Sequence, residues 1–128
     1  MRRDGPLNPE QRDLAHIWDM LQAAREVAFF VAGRTKAEFD TNLMLRRSVE
    51  RSIEIVGEAS RRVTKGFKSQ HKSVPWTKIY GQRNRLAHEY DIVDPETIWR
   101  VATVHIPVLI AELERILPDP PANTPRNA

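Results

Sequence analysis

Residues 8–31 read NPEQRDLAHIWDMLQAAREVAFFV and give the clearest structural signal in the chain. Asn8 is a favourable N-cap, and Pro9 suits the first helical position because its missing N–H would be unpaired there anyway. Apolar side chains then recur at intervals of three and four, the period of one buried helical face, at Leu14, Ile17, Trp18, Leu21, Ala24, Ala28 and Val31. The stretch predicts a long amphipathic helix, with Gly33 as its stop signal.

A second long helix is predicted from about Asp40 to Lys65. Thr35 and Glu38 match a capping box that opens a short turn before it. Its inward stripe consists of Leu45, Val49, Ile53, Val56, Ser60 and Val63. Gly57 lies inside this helix, where glycine costs about 1 kcal/mol relative to alanine. We therefore expect another helix to approach closely at Gly57, and Gly66 to end the element.

Two further helices are predicted after the polar stretch 68–73. Pro75 and Trp76 open a short third helix over residues 75–88, and Asp94-Pro95 opens a last helix that runs to about Leu117. Pro107 should kink this last helix, because proline removes one backbone hydrogen bond and crowds the preceding turn. The fold class is therefore all-α, an up-down bundle of four to five helices over residues 1–117, followed by a proline-rich tail at 118–128 that we expect to be disordered.

Composition excludes several classes of protein. The chain has no cysteine, which rules out disulfides and Cys-ligated zinc or iron–sulfur sites. No apolar run approaches the ~18 residues that a membrane span requires, and no signal peptide is recognisable, so we expect a soluble, cytoplasmic protein. No pair of histidines or carboxylates has convincing metal-ligand spacing, and we expect neither a metal nor another cofactor.

Charge is distributed unevenly along the chain. Residues 46–88 carry eleven Lys and Arg against three acidic residues, a balance of +8, whereas residues 1–45 and 89–128 carry −1 and −4. A positive middle segment suits a polyanion such as RNA, because Lys and Arg neutralise phosphates and release counterions. An ordinary solvated face on two helices explains the charge equally well.

The segment RNRLAHEY, at residues 83–90, concentrates polar groups that suit RNA cleavage. Metal-independent cleavage needs a base for the 2′-hydroxyl, an acid for the leaving oxygen and a cation for the phosphate. Histidine performs either proton transfer near neutral pH, and arginine binds phosphate bidentately, so His88 and Arg83 are the candidates. Asn84 shares a helix face with His88, whereas Arg83 lies about 140° away, so a symmetric dimer would complete the site best. Alternatively, these residues and Tyr90 are ordinary surface and packing residues.

The segment resembles the R-N-x3-H-x-Y form of the R-x4-6-H signature of HEPN proteins, specifically of HepT-like toxins. Gly57-Glu58-Ala59, Pro75-Trp76, the helix containing Trp99 and its internal Pro107 extend the resemblance over residues 10–117. It implies a HEPN-like homodimer and a ribonuclease toxin acting on tRNA or mRNA, with Arg83 and His88 as the catalytic pair and Asn84 supporting them. It also implies a cognate MNT nucleotidyltransferase antitoxin, which attaches AMP to Tyr90.

Two other functions fit the same sequence. The chain is alternatively a non-catalytic helical accessory or substrate-binding subunit of a minimal nucleotidyltransferase, which would not arrest growth when expressed alone. A plain nucleic-acid-binding bundle would bind RNA in a salt-sensitive way without cleaving it, but this function gives Tyr90 no role.

Several other residues resemble site residues, but a structural role suits them better. Glu58 is expected to be solvated or ion-paired, although it lies on the second helix and could approach the site. His16 and His105 are expected to be core or interface histidines with satisfied hydrogen bonds, and His71 to be exposed in a basic loop. The three tryptophans are expected to pack in the core or a dimer interface rather than to stack on bases, namely Trp18, Trp76 and Trp99.

Overall fold

The computed structural model describes residues 7–81 and 94–118, and within them every regular element is a helix. The elements are α1 (Pro9–Val31), α2 (Lys36–Thr41), α3 (Leu43–Arg62), α4 (Lys65–Gln70), α5 (helical over 76–81), α6 (Pro95–Arg100), a π-helical turn (Val101–His105) and α7 (Ile106–Ile116). The predicted all-α class is confirmed, although the described residues form more than the four to five helices expected. Most of the predicted tail at 118–128 lies outside the described residues.

The first helix forms as its sequence predicts. The Asn8 side chain accepts from the Gln11 backbone N–H at 2.8 Å, and the Gln11 side chain accepts from the Asn8 N–H at 2.9 Å, which completes a capping box. After Val31 the chain reverses in a turn closed by a 3.0 Å bond from the Arg34 N–H to the Val31 carbonyl. Gly33 has a φ of 72° there, a conformation that glycine adopts without a steric penalty.

The predicted helix from Asp40 to Lys65 is wrong at its start, because two helices meet at Asn42. The side chain of Asn42 accepts from the Leu45 N–H at 3.0 Å, so it caps α3 while α2 ends beside it. The guanidinium of Arg46 donates to the carbonyls of Phe39 and Asp40, which satisfies the orphan carbonyls of α2. Local capping chemistry therefore overrides the continuous apolar period, and the predicted capping box of Thr35 with Glu38 opens a true helix.

The predicted end of this helix at Gly66 is also wrong. Helix α3 ends at Arg62, and Thr64 caps the additional helix α4 by accepting from the Phe67 N–H at 3.2 Å. Gly66 lies inside α4, where a Cβ would meet nothing within 4 Å. The signal for the break is Thr64, an N-cap residue that competes with helix continuation.

The last predicted helix is present, but Pro107 acts on it through a π-helical turn. The Ile106 N–H bonds to the carbonyl of Val101, five residues earlier, and Pro107 follows directly. Proline has no N–H and its ring crowds the preceding turn, so a wider turn accommodates it within a helix that otherwise continues. The extra residue in this turn rotates the side chains of α7 about the helix axis, compared with an uninterrupted α-helix.

The core lies where α1 packs against α3 and against the C-terminal helix, the name we give to α6, the π-helical turn and α7 together. Helices α1 and α3 are antiparallel, since Thr64 after α3 bonds to Asp13 near the start of α1. The C-terminal helix begins against Phe39 and later meets α1 through a 2.9 Å ion pair between Glu114 and Arg25. The largest fully buried side chains are those of Phe39, Ile17, Met20, Leu21, Ile98 and Leu113. In the described part of the chain, no helix has the length and apolar character that crossing a membrane requires.

Asp13 is a buried carboxylate that joins α1 to the start of α4. It is 5% exposed, and its two oxygens accept from the backbone N–H of Thr64 at 2.9 Å and from the Thr64 hydroxyl at 2.7 Å. Hydrogen bonds to a charged group contribute about 1.5–3 kcal/mol each, and orphaned buried donors cost more. Asp13 therefore holds α4 in place.

Replacing Asp13 by alanine is expected to lower the free energy of unfolding by about 2–4 kcal/mol, because both donors of Thr64 lose their acceptor. Urea denaturation followed by circular dichroism measures this loss. Asp19→Ala is the matched control, since Asp19 is an exposed residue of the same helix and should shift stability by no more than about 0.5 kcal/mol. Equal effects of the two substitutions would contradict the assigned role of Asp13.

Candidate active site

Helix α5 leads into the segment that contains the predicted catalytic residues, and its start is firmly anchored. The Trp76 indole N–H donates to the carbonyl of His71 at 3.0 Å, and the buried Val74 precedes it at 1% exposure. The Lys68 ammonium lies 5.7 Å from the centre of the Trp76 ring, a cation–π contact. Pro75 fits before the first turn, as the sequence predicts. The helix predicted over 75–88 is confirmed over 76–81, where the described part of this segment ends.

Helix α6 receives the chain on the other side of that segment and is equally well fixed. Asp94 caps it by accepting from the Glu96 N–H at 3.0 Å, with Pro95 at the first helical position. Glu96 in turn lies 3.1 Å from the Lys36 ammonium, which also contacts Asp40 at 2.9 Å. Lys36 donates hydrogen bonds to Asp40 and to Glu96, and these bonds, with that to Asp40 as the larger cause, hold the pKa of the lysine above its ordinary value. The start of α6 is thus tied to α2.

The four predicted site residues lie between these two anchors. Arg83, Asn84, His88 and Tyr90 all fall in 82–93, which is outside the described residues. Their roles therefore stay predictions. The described geometry establishes that the helices entering and leaving this stretch are both fixed to the bundle.

Glu58 on α3 is half-buried and ion-paired. Its Oε2 lies 3.9 Å from the Arg51 guanidinium, which also contacts Glu54 at 3.2 Å. The prediction of an ion-paired glutamate is confirmed. Glu58 also lines a shallow groove between α1 and α3, together with Trp18 and Glu26. Gly57 beside it is buried, as the predicted close packing at this position requires.

Two groups of positive side chains on the surface differ in their partners. Arg47, Arg51 and Arg115 are exposed, and each pairs with a carboxylate on its own helix. A second group follows the end of α3, α4 and α5, and within the described residues none of its members forms an ion pair. We call this group the basic ridge, and it consists of Arg61, Arg62, Lys65, Lys68, Lys72 and Lys78.

A family model described as "Ribonuclease HepT-like" matches residues 20–116, about three-quarters of the chain. The chain belongs to the HepT-like ribonuclease family. The matched range includes the whole segment from Arg83 to Tyr90, so the resemblance noted in the sequence extends well beyond that motif.

Similarity to individual HepT-like relatives covers most of both chains. A Methanocaldococcus jannaschii protein named "Putative RNase" is 35% identical over 81% of this chain and 96% of its own length. A Caldanaerobacter subterraneus protein, also named "Putative RNase", is 38% identical over 81% of this chain and 90% of its own length. A Thermococcus cleftensis protein named "Probable ribonuclease HepT" is 29% identical over 81% and 89%. No solved structure gave a significant match.

The histidines of this HepT-like chain depart from expectation in three ways. His16 is half-buried on α1, but its Nδ1 is buried and has no hydrogen-bond partner in the described part of the chain. His71 is not freely exposed, because its ring stacks on Phe67 with centroids 4.4 Å apart at the end of α4. His105 is exposed, so it does not belong to the core, since the π-helical turn changes which face it occupies. An interface role for His105 stays a prediction.

The three tryptophans pack against the core, as predicted. Trp18, Trp76 and Trp99 are all partly buried beside the main apolar cluster, and Trp99 contacts Phe39 with ring centroids 5.2 Å apart. The sequence prediction missed the basic ridge as a distinct group, because it counted paired and unpaired cations together. The available signal was the absence of any Asp or Glu between Glu58 and Glu89.

Proposed function

We propose that this chain is a ribonuclease toxin that cleaves RNA without a metal ion at a site formed by two protomers in the cytoplasm. The observation that carries the proposal is the HepT-like family match, whose range contains the complete Arg83–Tyr90 segment. The order of Arg, Asn, His and Tyr in that segment supplies the groups that such cleavage requires.

Each residue has a chemical role in this proposal. His88 transfers the proton of the attacking 2′-hydroxyl or of the leaving 5′-oxygen, because imidazole gains and loses protons near neutral pH. Arg83 binds the phosphate and stabilises the charge that develops on it, since its guanidinium stays charged and donates two parallel hydrogen bonds. Asn84 supports the pair by hydrogen bonding from the same helix face.

A homodimer completes this site. One histidine provides typically 10²–10⁴-fold acceleration, so two imidazoles and two guanidiniums at one cleft account better for an efficient enzyme. Tyr80 supports this arrangement, because it is 38% exposed on α5, just before the motif, and a second copy would cover its ring. We accordingly propose that α5 forms part of the dimer contact.

Regulation by a cognate MNT nucleotidyltransferase antitoxin follows from the position of Tyr90. Transfer of AMP from ATP to the tyrosine hydroxyl would form a phosphodiester and release pyrophosphate. The added phosphate would lie two residues from His88, where it would occupy the RNA site and repel the substrate phosphate. The antitoxin would thereby silence the toxin without altering its fold.

Purified protein tests this function directly. Incubation with total RNA in excess EDTA should produce cleavage products, and expression without the antitoxin should arrest growth. A folded wild-type protein that leaves RNA intact and cells growing would contradict the proposal. That result would instead favour the accessory subunit of a nucleotidyltransferase.

A further inference from the structure

The basic ridge lies next to the motif in sequence and consists of cations without counterions. From residue 59 to residue 88 the chain contains eight Lys and Arg and no Asp or Glu. All ridge residues are exposed except Lys68, which is half-exposed over Trp76. The paired arginines elsewhere on the surface show that this chain does place carboxylates beside cations.

Stability does not explain the positions of Lys65 and Lys78. Helix N-termini favour anions, and α1, α2 and α6 follow this rule with Glu10, Glu38 and Glu96 in their first turns. Helices α4 and α5 break the rule. Lys65 is the first residue of α4 and Lys78 the third of α5, at positions where a cation costs about 0.3–1 kcal/mol.

Only part of the ridge has a stabilising role. Arg61 and Arg62 lie in the last turn of α3, where the helix dipole favours positive charge. Lys68 gains the contact with Trp76. Lys65, Lys72 and Lys78 have no comparable interaction within the described residues.

The ridge is held in a fixed position relative to α5. The Trp76 indole bonds to His71, the His71 ring stacks on Phe67, and Asp13 binds Thr64 at the start of α4. The backbone that carries these cations is therefore fixed, and only their side chains lose freedom on binding a ligand. A set of unpaired cations on a fixed backbone, next to the motif in sequence, suits the RNA backbone, because binding to the phosphates releases their counterions.

We propose that the basic ridge binds the sugar-phosphate backbone of the RNA substrate outside the catalytic cleft. This inference rests on the proposed ribonuclease function and adds the surface that holds the flanking nucleotides. Because the contacts are to phosphates, the ridge contributes affinity and positioning rather than base preference.

The test compares two triple variants that remove equal charge. Lys65→Gln/Lys72→Gln/Lys78→Gln removes the unpaired lysines, and Arg47→Gln/Arg51→Gln/Arg115→Gln removes paired arginines whose side chains are 62–66% exposed. The probe is a fluorescent, tRNA-length 2′-O-methyl RNA, which lacks the nucleophile for cleavage and so reports binding alone. The KM for the unmodified RNA is measured in parallel.

The lysine variant is expected to bind the RNA probe roughly 10- to 50-fold more weakly at 0.15 M salt. The slope of log affinity against log salt concentration should be smaller by about 2, because each of the three lost phosphate contacts contributes ~0.7. The KM of this variant should rise in the same proportion as its affinity falls, whereas the arginine variant should stay near wild type. The lysine variant should be at least as stable as the wild type, because two substitutions remove unfavourable dipole interactions.

The outcomes separate this inference from the function on which it rests. Cleavage by the wild type combined with unchanged affinity, salt slope and KM in the lysine variant would overturn the ridge and leave the nuclease intact. The same result is expected if the ridge serves an acidic protein partner instead. Failure of the wild type to cleave RNA would contradict the proposed function. Even then, weaker binding of the uncleavable probe by the lysine variant would support RNA binding by the ridge.

Discussion

A His88→Ala protein is expected to cleave RNA about 10²- to 10⁴-fold more slowly than the wild type, because it lacks the group that transfers protons in the transition state. The loss should appear in kcat rather than in KM, since binding through phosphate contacts is retained. Time courses with tRNA and mRNA in EDTA measure both constants. Expression of this variant alone should no longer arrest growth.

The matched control for this variant is His105→Ala. His105 is exposed on the C-terminal helix, outside both the motif and α5, to which we assign the dimer contact, so its loss should leave kcat and growth arrest at wild-type levels. Thermal unfolding of both variants should coincide with that of the wild type. Full activity of a folded His88→Ala protein would exclude His88 as the catalytic base or acid.

Co-expression with the cognate transferase is expected to add ~329 Da per AMP to the chain and to silence the toxin, because the modification places phosphate charge beside the catalytic histidine. Intact-mass spectrometry of the co-expressed protein detects the increment. The modified protein should show no RNA cleavage, and phosphodiesterase treatment that removes the AMP should restore it.

The chain contains only two tyrosines, which makes the modified position easy to test. Tyr90→Phe should receive no AMP and should stay toxic in the presence of the antitoxin. Tyr80→Phe is the matched control, because Tyr80 is a partly exposed tyrosine on α5 and should leave the modification unaffected. An increment that survives Tyr90→Phe and disappears in Tyr80→Phe would move the site to α5.

Long-range periodicity made most of the fold predictable. The three-and-four spacing of apolar residues identified α1 and the C-terminal helix, and the N-caps Asn8 and Asp94 gave their starts. These signals are strong because one sequence feature, a buried helical face or a side-chain acceptor, fixes each of them. The capping box of Thr35 and Glu38 was likewise predicted and observed.

The helix boundaries that the sequence did not reveal result from local competition between capping and helix continuation. Asn42 and Thr64 both lie within an apolar period that continues through them, yet their side chains cap new helices. The choice depends on further partners, namely Arg46 in the first turns of α3, which bonds to the end of α2, and the distant Asp13, which bonds to Thr64. The π-helical turn before Pro107 is a third case, because proline requires a distortion but does not specify its form.

The candidate site likewise has one part that the sequence predicted and one part that required the structure. The motif residues were identified from residue types, spacing and resemblance, and they lie outside the described part of the chain. The basic ridge needed the structure, because only the ion-pair geometry separates Lys65, Lys72 and Lys78 from paired cations such as Arg51. Net charge alone treated the two groups as one.

The distance between α5 helices in solution tests the two-protomer site most directly. The chain has no cysteine, so Thr77→Cys, at an exposed position of α5, creates one spin-labelling position. Thr77 precedes the middle of the motif, residues 83–90, by about nine residues, or ~14 Å along a helix, and packed helix axes lie about 8–10 Å apart, so pulsed electron resonance should give one distance within roughly 40 Å. A protein without dipolar coupling, or with labels far beyond this range, would contradict a shared active site.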